Sequence, residues 1–313
     1  MPVAFKLVVH LNGMQRKIIY LINPISGTKG KTSLHQIVSD ATSKQKIPFQ
    51  VLPTVASGDY RFIRNKIEEE SITDIIICGG DGTLNQVVQE LKDEKVNFGI
   101  IPMGSGNGLA FAAKIPKSPL KALDIIFNGR AGFIDAFSVN GQFACMLCGL
   151  GFDAQVAHDF AKQKTRGLLT YTTQTIKNYF IANPYPFSIV AGETVISTNA
   201  FFISIANSNQ FGNQFTIAPG ASLSDGMLDI VVVPQMNKAV LALAILQQVN
   251  TGKPSEKVPK STGNKIFYFQ ADHLHIKNPG LAPMHIDGEP KETLTSLDIR
   301  IIPRCFKLLQ PFA

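Results

Sequence analysis

Three short runs of apolar, mostly β-branched residues each stop at a glycine turn and lead straight into an amphipathic stretch. This repetition restricts the first half of the chain to a parallel sheet covered by helices. "KIIYLI" from Lys17 to Ile22 ends at "NPISG", "TDIIICGG" runs into "GGDGTLN", and "VNFGIIPMG" runs into "PMGSGNG". An unbroken apolar run, unlike an alternating one, is what a strand buried on both faces requires. "PFQVLPT" reads as a further strand. A stretch from about Thr32 to Ser43, "GDYRFIRNKIEEE", "TLNQVVQELKD", "GLAFAAKI" and "SPLKALDIIFNG" read as the intervening helices.

After Ala131 the texture changes to short β-rich segments divided by Gly, Asn and Pro, among them "FIDAFSVNGQFACMLCGLGF", "FSIVAGETVISTNAFFISIANS" and "MHIDGEPKETLTSLDIRIIP". The expected fold is therefore α/β + β, a doubly wound α/β domain over residues 1–134 followed by an antiparallel β-sandwich over 135–313. The last ~15 residues are expected to return and pack on the first domain. Two helices are expected to interrupt the second domain, near Asp153 to Asn178 and near Lys238 to Asn250.

The balance of 30 Lys plus Arg against 23 Asp plus Glu leaves a net charge of +7. It is spread over both halves with no basic tract interleaved with aromatics, which argues against nucleic acid. The lysine-rich segment from Lys253 to Lys277 reads as a solvated loop or as a docking face for an anionic membrane. The apolar runs, including "AVLALAILQQV", fall short of the ~20 residues a spanning helix needs. A cytoplasmic protein, soluble or peripheral at the inner membrane surface, is expected; a core-type strand follows Met14 at once, which leaves open both a start there and residues 1–13 as a native extension. Cys78, Cys145, Cys148 and Cys305 are too few for a disulfide framework. Cys145-x-x-Cys148 reads as part of a buried strand, and His273 with His275 as strand alternation, so no zinc site is expected.

The three glycine turns share one location, the carboxyl ends of parallel strands, where open α/β sheets bind their ligands. Glycine lets the backbone approach an anion, and Ser26, Thr83 and Ser105 add hydroxyl donors, so together the turns point to a phosphate-binding edge. None follows the G-x-x-x-x-G-K-[ST] or G-x-G-x-x-G pattern. Asp81 inside the middle turn would repel a phosphate unless a metal lies between them or a proton has to be removed; the alternative is an Asx turn capping the next helix. In "IDGEP", Asp287 and Glu289 share one side if the strand continues, whereas a hairpin turn at Asp-Gly is the alternative.

With "NPISG", "GGDGTLNQVV" and "IPMGSGNGLA" in order, and "FIDAFSVNGQFACMLCGLGFDAQV", "APGASLSDGMLDIVVV" and "MHIDGEP" after them, the chain resembles the diacylglycerol kinase and sphingosine kinase lipid-kinase family over nearly its whole length. The resemblance implies ATP- and Mg²⁺-dependent phosphoryl transfer to a lipid hydroxyl. It places the nucleotide at Asn23, Pro24, Ser26, Gly27, Thr54, Gly79, Gly80, Asp81, Gly82, Thr83, Asn85, Gly104, Ser105, Gly106 and Asn107. It implies Asp81, Asp135 and Glu289 as catalytic, linked through water and Mg²⁺, with Asp81 and Glu289 as rival proton acceptors. "SLSDGMLD" resembles a structural Mg²⁺ segment, with the Asp225 carboxylate and the carbonyls of Ser222 and Met227 as ligands. One departure bears on substrate: where bacterial diacylglycerol kinases commonly read N-D-F-A-R, Asn107 is followed by "GLAFAA", closer to sphingosine and ceramide kinases. Glycerolipids and long-chain bases both stay open, with Asp153 or Asp159 as partners for an amine. So do a kinase of a soluble metabolite such as NAD and a catalytically silent binding protein.

Overall fold

The computed structural model describes residues 15–23, 31–161, 182–209, 218–235 and 266–312. Its first half reads β1 (Ile18–Ile22), α1 (Lys31–Lys44), β2 (Phe49–Pro53), α2 (Arg61–Glu70), β3 (Asp74–Gly79), α3 (Asp81–Leu91), β4 (Asn97–Pro102), α4 (Gly108–Ala112) and α5 (Pro119–Asn128). The strands pair in parallel in the order β2-β1-β3-β4. Every residue of β3 is buried, as its unbroken apolar run requires of a central strand. Helix α2 buries Ile63 and Ile67, one turn apart on one face, and ends at Ser71 in the left-handed conformation.

The second half comprises β5 (Arg130–Val139), β6 (Gln142–Ala144), β7 (Leu147–Gly151), α6 (Phe152–Ala161), β8 (Tyr185–Ala191), β9 (Thr194–Ala206), β10 (Leu228–Pro234), β11 (Phe267–Ala271), β12 (His273–Lys277), β13 (Met284–Ile286), β14 (Glu289–Lys291) and β15 (Ser296–Gln310). All pairings among these strands are antiparallel. This half has its own core, built around Phe137, Leu150, Ile203, Ile230 and Ile299. The helix expected near Asp153 to Asn178 is described as far as Ala161; the one near Lys238 to Asn250, and Lys253, Lys257, Lys260 and Lys265, lie outside the described residues.

The chain passes between the two halves within a single antiparallel pair, β5 with β15. Near Lys307 and Leu308, β15 also pairs in parallel with β4, extending the first sheet. Between Ile302 and Phe306 the β5–β15 register shifts, leaving Pro303, Arg304 and Cys305 as a bulge opposite Asp135. Arg304 adopts φ 51° there, and Pro303 is tolerated because a bulge does not need its missing N–H.

Cys78, Cys145 and Cys148 are buried and free, and Cys305 is half-buried and free. His273 and His275 lie on β12, where their rings meet Asp298 and the Ser296 hydroxyl. Among the described residues, no helix is long and apolar enough to cross a membrane.

Candidate active site

The carboxyl ends of β3 and β4 carry two of the glycine turns, and specific contacts join them to each other and to the end of β1. At the end of β1, Asn23 donates through Nδ2 to the Thr83 hydroxyl, 2.8 Å away on the first turn of α3. Thr54, just past β2, bonds its N–H to the Ile22 carbonyl at 3.1 Å. Gly80 enters α3 with extended backbone. A Cβ placed on Gly104 would lie 2.6 Å from the Gly80 Cα, so the second and third turns touch backbone to backbone, which only glycine permits. Pro24, Ser26 and Gly27 lie outside the described residues.

The third turn is closed by its own asparagine. Asn107, buried and at φ 55°, accepts the Gly104 N–H at 2.8 Å and donates to the Gly104 carbonyl at 2.7 Å. This pair of bonds commits the Asn107 side chain to the turn, while Ser105 stays exposed at its rim. Gly106 follows Ser105 in the same turn.

Asp81 is the first residue of α3 and is half-buried. Its carboxyl is pushed up to about 6, chiefly by burial; the N–H of Gly108 opposes this, the Asp287 charge adds to it, and the N–H groups of Leu109 and Asn107 oppose it further. Asp81 thus ties the second turn to the third. Because the folded value lies above the ordinary 3.8, the folded protein keeps this proton where the unfolded chain has lost it. Its contribution to stability is complete below about pH 4 and is lost as the pH rises through about 6. Relative to Asp81→Asn, the wild type should therefore show its most favourable urea midpoint near pH 4, declining to a plateau above about pH 6. A difference that stayed flat across this window would contradict the assignment.

The second domain meets α3 through the β13–β14 hairpin. Its turn contains two residues, Asp287 at φ 51° and Gly288 at φ 79°, and it pairs Ile286 with Glu289. Positive φ at both positions is the type I′ signature for which Asp-Gly is favoured. Of the two readings of "IDGEP", the structure has the hairpin: the chain reverses between Asp287 and Glu289, and the two carboxylates do different things. Asp287 turns inward, 8% exposed, and accepts the N–H groups of Cys145, Met146 and Leu147, each at 2.9 Å, and the Asn85 amide at 2.6 Å. Burial raises its pKa against the pull of these donors. Glu289 is 57% exposed, paired with Lys291 at 3.3 Å, and its Oε1 lies 2.7 Å from where a Gly82 Cβ would stand. Asp287 is the residue that sequence reasoning passed over as a site residue. The Asp-Gly turn was its signal, but its partners lie some 140 and 200 positions away.

Asp135 is buried on β5, where the Asn207 amide donates both to its carbonyl at 2.8 Å and to that of Cys145 at 2.9 Å. Both of its carboxylate oxygens accept backbone N–H groups, from Gly226 at 2.7 Å and from Arg304 in the β15 bulge at 2.6 Å, and its own N–H bonds the Leu223 carbonyl at 2.7 Å. These bonds join the domain crossing to the 222–227 loop. In that loop Asp225 accepts the Met227 N–H at 3.1 Å and faces Gln270 at 3.4 Å, while the Ser222 hydroxyl accepts the Ser224 N–H at 3.4 Å. Among the described residues, no three His, Cys, Asp or Glu side chains converge as a metal-binding group. Asp159, considered for an amine, accepts from Gln155 at 3.2 Å.

Two family models divide the chain at this same crossing. The diacylglycerol kinase catalytic domain matches residues 17–139, and the YegS C-terminal NAD kinase beta sandwich-like domain matches residues 147–310. A diacylglycerol kinase of Bacillus subtilis is 27% identical over 75% of this chain and 77% of its own length. A Shewanella frigidimarina protein named "Probable lipid kinase YegS-like" is 25% identical over 80% of each chain. The crystal structure of a diacylglycerol kinase from Bacillus anthracis shares the fold, with a TM-score of 0.71 at 18% identity over 96% of this chain and 98% of that one. Fold and matched domains together define a two-domain kinase. The chain belongs to the family of bacterial diacylglycerol kinases and YegS-like lipid kinases.

Proposed function

We propose that the protein transfers the γ-phosphoryl group of ATP to the hydroxyl of a lipid, with Glu289 accepting the hydroxyl proton. The observation that carries this reading is the meeting of the two domains. The glycine turns after β3 and β4 meet at one edge beside Asn23 at the end of β1, and a carboxylate from the other domain lies next to Gly82 there. Phosphoryl transfer asks mainly for positioning and charge neutralisation, and for a proton acceptor within reach of the attacking oxygen.

Asn23, Thr54, Gly79, Gly80, Gly82, Thr83, Gly104, Ser105 and Gly106, with Pro24, Ser26 and Gly27, form the proposed phosphate-binding edge. Between the rival acceptors, the surroundings favour Glu289. It is exposed, with one surface lysine as partner, whereas Asp81 is engaged by the backbone N–H groups of residues 107–109. Mg²⁺ fits the hard oxygen donors of Asp81 and Glu289 and would neutralise phosphate charge there. Asp135 holds the domain junction in this reading, and acts on catalysis by keeping the two halves in register.

The test is thin-layer separation after incubation with labelled ATP and, in parallel, diacylglycerol, phosphatidylglycerol, sphingosine, ceramide and NAD. Label is expected in a lipid product, and the lipid that takes it fixes the substrate class. Label in NAD alone would replace this reading with a soluble-metabolite kinase.

A further inference from the structure

Asn85 lies one turn beyond Asp81 on α3, so the two side chains project from the same face of the helix. Its amide nitrogen is 2.6 Å from Asp287 Oδ2, with the Phe143 carbonyl at 3.4 Å and the Cys145 sulfur at 3.9 Å. All three partners belong to the second domain. Asp287 in turn gathers the N–H groups of residues 145–147, so the connection between β6 and β7, the hairpin turn and α3 meet at one buried carboxylate. Two positions on, across a turn too short to flex independently, stands Glu289, with its carboxylate against Gly82.

We infer that Asn85 and Asp287 form an interdomain latch that sets Glu289 over the first turn of α3, and that Asn85 serves the hairpin and does not bind nucleotide. Both are positioning residues, acting through Glu289; the inference rests on the proposed phosphoryl-transfer reading.

The test compares Asn85→Ala and Asn85→His with the wild type in the full chain. It uses steady-state kinetics on the lipid that the wild type labels, equilibrium binding of ATP, and amide hydrogen exchange. A catalytic group displaced by about 1 Å loses about 10²-fold in rate. Asn85→Ala is therefore expected to lower kcat about 10²-fold with the KM and Kd for ATP within about twofold of wild type. Exchange in residues 143–147 and 284–291 should quicken about tenfold while β3 and β4 keep their protection. Asn85→His, whose Nδ1–H stands near the place of the amide, should restore most of the rate.

An Asn85→Ala variant with raised ATP KM and unchanged kcat, or with unaltered exchange in the hairpin, overturns the latch. A wild type that labels no acceptor, combined with faster hairpin exchange in Asn85→Ala, leaves the latch standing and removes the phosphoryl-transfer reading instead.

Discussion

Glu289→Gln is expected to lower kcat for phosphoryl transfer by 10²- to 10⁴-fold, the usual range for a lost general base. ATP affinity should stay unchanged, and the unfolding free energy should move by no more than about 0.5 kcal/mol. The stability expectation follows from exposure: Glu289 is 57% exposed, and its one ion partner, Lys291, is a surface contact of the kind that contributes little. The kinetic expectation follows from placement, since its carboxylate lies beside Gly82 on the first turn of α3, next to the glycine turns proposed to bind phosphate. Radiolabel incorporation, isothermal titration with ATP and urea unfolding separate the three quantities. If Glu289→Gln kept its rate within tenfold of wild type while Asp81→Asn lost about 10³-fold, the proton acceptor would be Asp81.

Asp287→Ala should have the largest effect on stability, about 3–5 kcal/mol, with activity falling alongside it. Removing this side chain leaves the N–H groups of Cys145, Met146 and Leu147 and the Asn85 amide facing a buried gap, and each buried donor without an acceptor costs about 1–3 kcal/mol. Water entering the gap, and the cost that burying the carboxylate already carries, keep the total below the simple sum. Asp287→Asn keeps one acceptor oxygen for Met146 and Leu147 but sets an amide against the Cys145 N–H and Asn85, so it should recover only part of the loss. A urea midpoint for Asp287→Ala within about 1 kcal/mol of wild type would show that the hairpin is held by other contacts.

Much of the architecture was legible because periodicity is local. The unbroken apolar run of β3 specified a strand buried on both faces, and the glycines after it specified where the chain turns. The Asp-Gly pair at 287–288 specified a turn as well, yet two readings of it coexisted in the sequence. A continuing strand and a type I′ hairpin place Asp287 differently, and only the pairing of Ile286 with Glu289 distinguishes them. The asparagines show the same limit. In the sequence, Asn23, Asn85 and Asn107 are equivalent members of glycine-rich motifs. In the fold, the first binds Thr83, the second Asp287 and the third its own turn.

Asp135 marks the boundary between the two kinds of knowledge. The resemblance grouped it with Asp81 and Glu289, and its carboxylate oxygens are held by the N–H groups of Arg304, 169 positions away, and of Gly226, 91 positions away. The sequence by itself determined the layers, the strand ends and the glycine turns, because these follow from side-chain period and backbone freedom within a few residues. Which carboxylate is buried, which is exposed and which binds the domains together was decided only by the tertiary structure. A carboxylate's environment is set by donors that the fold brings from elsewhere in the chain, and the neighbouring sequence does not carry that information.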